Sequence, residues 1–504
     1  MWLIPFLSVV QPSLSDPYDT LPVLNNRPTI VHLFEWKWKD IASECENFLQ
    51  HYGYGAVQVS PPNEHILGSQ WWTRYQPVSY RLQSRSGTTG EFMEMVDRCN
   101  AVGVRIIVDV VVNHMVGAGH QGQGTAGCYF NSNTNVETFP CVPFGPLDFN
   151  DNYCNGDIHG YHYQCCEERV RHCRLVSLLD LNHDKDWVRS KIVDFWNDLI
   201  DKGVAGLRID AAKHMYPGHI AQILAATHNL RQDIFGPNMR VFSVQEVIDM
   251  GYEAVRADEY LHNGRVTNFK YGMDLAAGMK REKNMKHFAN FGTGWGYWHG
   301  NDVVVFVDNH DTQRQDARAL TYKHGSLYQM AVGFMLAWNY GIPRVMSGYA
   351  FQDHDQGPPT SSARFNSDET CVPESGWVCE HRWPATKKMA RFRSTCHDRE
   401  IVGVMNHEDH RLAFERKGCG YFALNNADGD WIFTAHTSLP SGYYCDLYTG
   451  ESSGQKCTGI GIHVDAGGKT ELRVKTRRFL AFYLRHENNQ DINDESSHDG
   501  GNCH

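Results

Sequence analysis

The sequence carries no long basic run, and its 47 Lys and Arg are outnumbered by 58 Asp and Glu, a formal charge of −11. Such a surface repels phosphate backbones, which argues against nucleic acid as a partner. No apolar run reaches the ~20 residues that a membrane-spanning helix needs, which argues against a membrane. The longest interior candidates, 105–112 and 331–338, are short; one contains Asp109 and the other is closed by Asn339 and Gly341. The fifteen cysteines include no CxxC pair. A disulfide set in an oxidising compartment is therefore expected, not thiolate-bound zinc. Because fifteen is odd, at least one thiol stays free or pairs outside the chain, and Cys503 is the easiest to spare. No Asn-x-Ser/Thr sequon and no internal repeat occur.

Apolar residues make up 41% and charged residues 21%, ordinary globular usage that excludes wholesale disorder and fibrous architecture. A length of 504 residues points to about three domains. Thirteen Trp, 23 Tyr and 24 Phe supply rings for flat, polar-edged ligands. Residues 2–10 are almost wholly apolar, and Ser13-Leu14-Ser15 follows at cleavage spacing. This reads as a signal peptide, 1–15, cut before Asp16, although its start lacks Lys and Arg, and it implies a secreted protein.

Short β-rich runs recur at 29–34, 56–60, 104–112, 206–210, 241–246, 266–269, 303–307 and 343–347. Helical patterns lie between some of them; in 186–202, Val188, Ile192, Phe195, Trp196 and Leu199 recur every three to four residues. Near-continuous apolar strands fit a parallel sheet buried on both faces. Eight such units over roughly 370 residues predict an α/β fold, a (β/α)8 TIM barrel, over 16–112 and 183–399. An irregular segment rich in Gly, Asn, Cys and aromatics forms a small domain inserted after strand three, 113–182. Alternating short strands over 400–487 predict a C-terminal antiparallel β domain. The polar, acidic stretch 488–504 is expected to be disordered.

Polar residues at the carboxyl ends of barrel strands are the catalytic candidates. Four strands end in such clusters: Asp109-Val-Val-Val-Asn113-His114, Arg208-Ile-Asp210-Ala-Ala-Lys213-His214, Glu246-Val-Ile-Asp249 and Asp308-Asn309-His310-Asp311. Each alone is equally a helix cap or an ion pair. In this order and spacing they resemble the conserved regions of the α-amylase clan of glycoside hydrolases. The text around His32-Leu-Phe-Glu-Trp, Trp71-Trp72-Thr-Arg-Tyr75-Gln76-Pro77, Gly264-Arg-Val-Thr-Asn-Phe and Cys379-Glu-His-Arg-Trp383 resembles animal α-amylases, and the likeness runs from about His32 to Tyr483.

The resemblance implies a calcium-associated inserted domain and a C-terminal β-sandwich. It implies a secreted, digestive, monomeric, endo-acting enzyme that hydrolyses α-1,4 bonds of an α-glucan partner, starch or glycogen, with retention. It makes Asp210 the nucleophile, Glu246 the acid/base and Asp311 the transition-state stabiliser, with the first two carboxyls ~5–5.5 Å apart. Arg208 shares a strand face with Asp210 and is expected to hold it ionised. His114, His310, Lys213, His214 and Gln76 match substrate-binding positions, and Trp72 and Tyr75 a stacking platform; Trp71 is as readily a core residue. Calcium is implied at Asn113, Arg171, Asp180 and His214, and chloride at Arg208, Asn309 and Arg344. Two guanidiniums in a closed barrel need counter-charge, which a small anion supplies; the alternative is an ion pair of Arg344 with a core acid. Non-catalytic relatives, as binding or transporter-associated subunits, usually lose the carboxylates and carry a membrane span; this sequence keeps all three and shows no span. Other specificities within the clan are disfavoured by the animal-type flanking motifs.

Family pairings imply disulfides Cys45–Cys99, Cys154–Cys173, Cys371–Cys379 and Cys445–Cys457, with Cys396–Cys419 as a guess. Gln83 stands where a Cys is usual, so the family partner of Cys128 is missing; the additional Cys141 is one alternative, the pairing stays open, and Cys165 and Cys166 stay unassigned. After Asp311 the chain lacks the Gly-rich loop of mammalian relatives.

Overall fold

The computed structural model describes residues 16–484 apart from 25, 454 and 455. The expected signal peptide, the expected disordered tail and Cys503 lie outside the described residues. Eight strands form a closed parallel barrel: β1 (Thr29–Leu33), β2 (Tyr54–Val59), β3 (Arg105–Val110), β4 (Gly206–Ile209), β5 (Phe242–Gln245), β6 (Arg265–Asn268), β7 (Val303–Val305) and β8 (Ile342–Ser347). Each pairs with its neighbours in sequence, and β8 closes on β1. All eight runs read from the sequence are barrel strands.

Strand alternation divides their side chains between two cores. Val31, Leu33, Val57, Val59, Ile106 and Val108 face the surrounding helices. Ile30, Ala56, Ile107, Phe242, Val244, Val304 and Ile342 fill the barrel floor. At Gly206 an added Cβ would come within 2.9 Å of the Phe242 ring, so β4 needs glycine where that ring fills the floor. Two residues further along each strand, the period of two puts His32, Gln58, Asp109, Arg208, Glu246, Phe306 and Arg344 above this apolar floor. The switch from apolar to charged in one step along the strands creates the site.

The helix Asp186–Asp201 buries Val188, Ile192, Phe195, Trp196 and Leu199, as the spacing predicts. Between β3 and this helix the chain forms only short elements. His114–Gly117 pairs with Leu178–Asp180, Gln121–Gln123 pairs with Tyr129–Asn131, and two short helices cover His162–Cys165 and Glu167–His172. After the barrel, Ile401–Met405, Arg411–Arg416, Gly420–Asn425 and Arg478–Tyr483 form a four-stranded antiparallel sheet. One of its faces shares a core with Trp431, Leu472 and Val474 of a second strand pair. Its other face packs on the barrel through Phe414 against Phe334 and Trp338. Among the described residues no helix is long and apolar enough to cross a membrane.

Five disulfides join the expected partners, including Cys396–Cys419, and a sixth joins Cys128 to Cys141. The seventh links the adjacent Cys165 and Cys166 at the turn between the two short inserted helices.

Candidate active site

Arg208 organises the centre. Its Nη1 donates to Asp109 Oδ1 at 2.7 Å and to Asp210 Oδ1 at 2.5 Å, and its Nη2 lies 2.5 Å from Glu246 Oε1. Directly after Asp210, Ala211 adopts a left-handed conformation, φ 49°. There its N–H donates to Glu246 Oε2 at 2.9 Å. A non-glycine residue held at positive φ beside functional groups stores modest strain that its surroundings must maintain. Asp311 is aimed by a local turn: Asn309 Oδ1 accepts the N–H groups of Asp311 and Thr312 at 3.1 and 2.8 Å.

Burial pushes Asp210 well above the usual carboxylate range; Glu246 and Asp109 add to the rise, and Arg208 opposes it. Burial likewise raises Asp311, to about 7, with Glu246 adding and Arg208 opposing. Arg208 favours the ionised form of Asp210, as expected, but it is not the largest influence. One guanidinium faces three carboxylates, so burial and mutual repulsion outweigh it.

The His310 ring lies between Phe34 and Tyr75, with centroids 5.2 Å away on either side. Burial, helped by nearby guanidiniums, drives its pKa well below the usual histidine value. That favours the neutral ring, whose Nε2 stands 3.4 Å from Asp311 Oδ2. Tyr75 O–H donates to Asp109 Oδ2 at 2.9 Å, closing a chain from ring platform to guanidinium. Trp71 is buried beside Phe34, Tyr75 and His310 as a core residue, whereas Trp72 is half-buried. Lys213 Nζ donates to Ile248 O at 2.6 Å and lies 5.0 Å from the Tyr163 ring centre. His114 Nε2–H donates to Tyr75 O at 2.9 Å, and Gln76 Oε1 accepts Gly117 N–H at 3.0 Å, so these two brace the inserted segment in the free protein.

The implied calcium ligands come together. Asp180 is fully buried and accepts only from amides, Asn113 Nδ2 at 3.3 Å and Asn150 Nδ2 at 2.7 Å. Burial without a cation raises it well above its ordinary value. Asn113 Oδ1 and Asn150 Oδ1 are buried with no hydrogen-bond donor. Two orphaned amide oxygens around an uncompensated carboxylate fit a hard cation. The Arg171 side chain points elsewhere, to Glu167 at 2.5 Å and Glu259 at 2.6 Å, which leaves only its carbonyl for such a role. His214 Nδ1–H donates to Val170 O at 2.8 Å and joins the same helix to the end of β4. Asn150 was missed in the sequence.

The chloride candidates divide. Arg208 receives its counter-charge from protein carboxylates. Arg344, fully buried, donates Nη1 to Gln58 Oε1 at 2.7 Å and lies 4.8 Å from the Phe306 ring centre. Burial lowers it to about 10, with Arg208 adding to the fall. No ion pair with a core acid forms. Beside it in the barrel, Gln58 Nε2 and both His32 ring nitrogens are buried without partners. A cation with no carboxylate, next to spare N–H donors, fits a small anion.

Asp109, given no role from the sequence, has a signal there: a lone acid inside the apolar run 105–112 must find a buried partner. In place of the Gly-rich loop, a short helix, Thr312–Gln315, is followed by a pinned turn. Arg318 pairs with Asp316 at 2.6 Å, and Lys280 Nζ donates to the carbonyls of Ala317 and Arg318 at 3.2 and 2.8 Å.

Comparison with known proteins agrees with this geometry. Residues 47–349 match the alpha amylase catalytic domain, and residues 401–485 its C-terminal all-beta domain. Pancreatic alpha-amylase 2a5 of Mus musculus is 44% identical over 485 residues, covering 91% of this chain and 93% of that protein. Alpha-amylase 2B of Homo sapiens is 45% identical over 477 residues, covering 89% and 92%. The crystal structure of alpha-amylase I from Eisenia fetida superposes with a TM-score of 0.83 at 37% identity, over 90% of this chain and 97% of that one. A mutant of that enzyme in complex with maltohexaose gives 0.85 at 37%, over 91% and 97%. By sequence, fold and the arrangement of its barrel carboxylates, the chain belongs to the α-amylase family of glycoside hydrolases.

Proposed function

We propose that the chain is a secreted, monomeric digestive enzyme that hydrolyses internal α-1,4-glucosidic bonds of starch and glycogen with retention. The observation that carries this reading is the shared guanidinium: Arg208 binds Asp210 and Glu246 at 2.5 Å each. A double displacement uses two carboxyls ~5–5.5 Å apart, and one guanidinium bound to both supports that spacing. Glu246 donates its proton to the glycosidic oxygen as Asp210 attacks the anomeric carbon, giving a glycosyl ester and a free chain end. Glu246 then takes a proton from water, whose oxygen attacks the same carbon and releases Asp210. Acid catalysis needs a proton on Glu246 as the reaction begins. Asp311 and neutral His310 are suited to hold sugar hydroxyls as positive charge develops at the anomeric carbon. By motif position His114, Lys213, His214 and Gln76 are assigned to substrate binding, and Trp72 and Tyr75 to ring stacking.

Asn113, Asp180 and the carbonyls of Arg171 and His214 would hold calcium, and Asn150 joins them as a candidate. When bound, the ion neutralises Asp180 and ties the inserted domain to the barrel. Arg344, with Arg208 and Asn309, would hold chloride, whose negative charge favours the protonated form of Glu246. Seven disulfides support an oxidising, extracellular setting. The test is digestion of soluble starch with product sizing. Early products of intermediate length, with iodine staining lost faster than reducing ends appear, are expected; glucose or maltose alone from the outset would contradict internal cleavage.

A further inference from the structure

Arg314 lies one turn past Asp311, and among the described residues no carboxylate forms an ion pair with it. Instead the guanidinium is caged by four rings from separate parts of the barrel mouth. Its carbon lies 4.0 Å from the centre of Phe351, 5.2 Å from Tyr349 and 5.4 Å from both Phe34 and Trp71. Through this cage Nη1 donates to His310 O at 3.0 Å. The backbone reciprocates, since Arg314 N–H and Gln315 N–H both donate to Asp311 O at 2.9 Å. The carbonyls on either side of the Asp311 Cα, those of His310 and of Asp311 itself, are thus both held. Two cage members belong to the site itself: Phe34 stacks on His310, and Trp71 packs against both His310 and Tyr75.

We propose that Arg314 is a positioning residue for the glycosidic reaction, fixing the His310–Asp311 peptide and placing a permanent positive charge behind the Asp311 carboxyl. This rests on Asp311 acting as the transition-state stabiliser. A cation sandwiched by aromatic faces is desolvated and rigid, so its field and its hydrogen bond are both directed. A flexible, hydrated ammonium supplies the same charge without the planar fork. The groups facing Asp311 are Glu246, Arg208, Asp109 and Tyr75 from the barrel and its loops, with His310 and Arg314 on its own segment. Arg208 and Arg314 are the cations among them, and both favour its ionised form. Arg208 is committed to three carboxylates, so Arg314 is the cation whose removal alters Asp311 with the catalytic pair still tied.

The test compares Arg314→Met and Arg314→Lys with the full-length parent, using circular dichroism and melting to confirm folding. For Arg314→Met, kcat on starch is expected to fall roughly 10- to 100-fold with KM within about threefold, because only a group that matters in the transition state is lost. The acid limb of its pH–kcat profile should move upward, since losing a positive neighbour makes Asp311 easier to protonate. Arg314→Lys should restore the limb's position and only part of the rate. If Arg314→Met is unstable, the Lys variant still decides: a parental limb with reduced kcat supports positioning. The proposal is overturned if Arg314→Met keeps kcat within twofold and its limb unmoved, or if either variant raises KM at unchanged kcat. Failure of the Asp311 role itself is separable: Asp311→Asn would then retain near-parental kcat.

Discussion

Asp210 and Glu246 meet on the two terminal nitrogens of Arg208, at 2.5 Å each, while Asp109 occupies the first nitrogen as well, at 2.7 Å. Burial displaces Asp210 and Asp109 upward, and the charge of Glu246, which shares their one guanidinium, adds to the rise. A stable core would not assemble such a cluster; a site that must keep one proton and surrender another does.

Asp210→Asn and Glu246→Gln should each lower starch hydrolysis by ~1,000-fold or more, with melting profiles that remain cooperative. Steady-state rates on purified variants check this. Near-parental turnover in either one removes its assigned role.

Chelation of bound calcium should lower thermal stability, because an ion held only by the native state adds about 2.7 kcal/mol at a hundred times its Kd. Asn150→Ala should weaken calcium binding, measured by isothermal titration, since it removes one orphaned oxygen and a donor to Asp180. An unchanged melting curve after verified metal loss would count against the site.

Chloride should raise activity and shift the pH optimum upward, and Arg344→Gln should make the enzyme nearly indifferent to the anion. The reason is that Arg344 is the barrel cation with a glutamine, not a carboxylate, for a partner. Without the anion the two guanidiniums favour ionised Glu246 and draw activity toward acid pH. A dialysed parent with no chloride response would show that Gln58 and the ring of Phe306 suffice for Arg344.

Asp311 makes a stability prediction of definite sign. Its folded-state value is about 7, above the ordinary carboxylate value. Between ~4 and 7 the folded chain therefore retains a proton that the unfolded chain has lost, and stability falls as pH rises. Asp311→Asn lacks this penalty. Calorimetry of the ligand-free proteins should show the variant gaining on the parent from pH 4.5 to 7, with the gap levelling above. A parent that gains on the variant over that range would reverse the inferred environment.

The barrel was legible because short β-rich runs recur with room for helices between them, and the carboxylate clusters were legible because they end four of those runs. What the sequence hid depends on contacts between distant segments. Asn150 sits in an irregular insertion with no period to read, and its role appears only when Leu178–Asp180 folds beside it. Arg314 carries no signal in the sequence; its place appears only when Phe34, Trp71, Tyr349 and Phe351 close around it. The Cys165–Cys166 bond could not be anticipated from pairings in relatives. Spacing revealed the cation beside Asp210, but not that Asp109 and Glu246 share it.

The anomeric form of the first product tests the shared-guanidinium mechanism most directly. Maltohexaose or soluble starch is digested with enough enzyme to outrun mutarotation, and the new reducing ends are followed by proton NMR. Attack by Asp210 followed by water predicts that the α-anomer appears first and decays slowly toward equilibrium. Initial release of the β-anomer would mean single displacement by water, and would contradict Asp210 as the nucleophile.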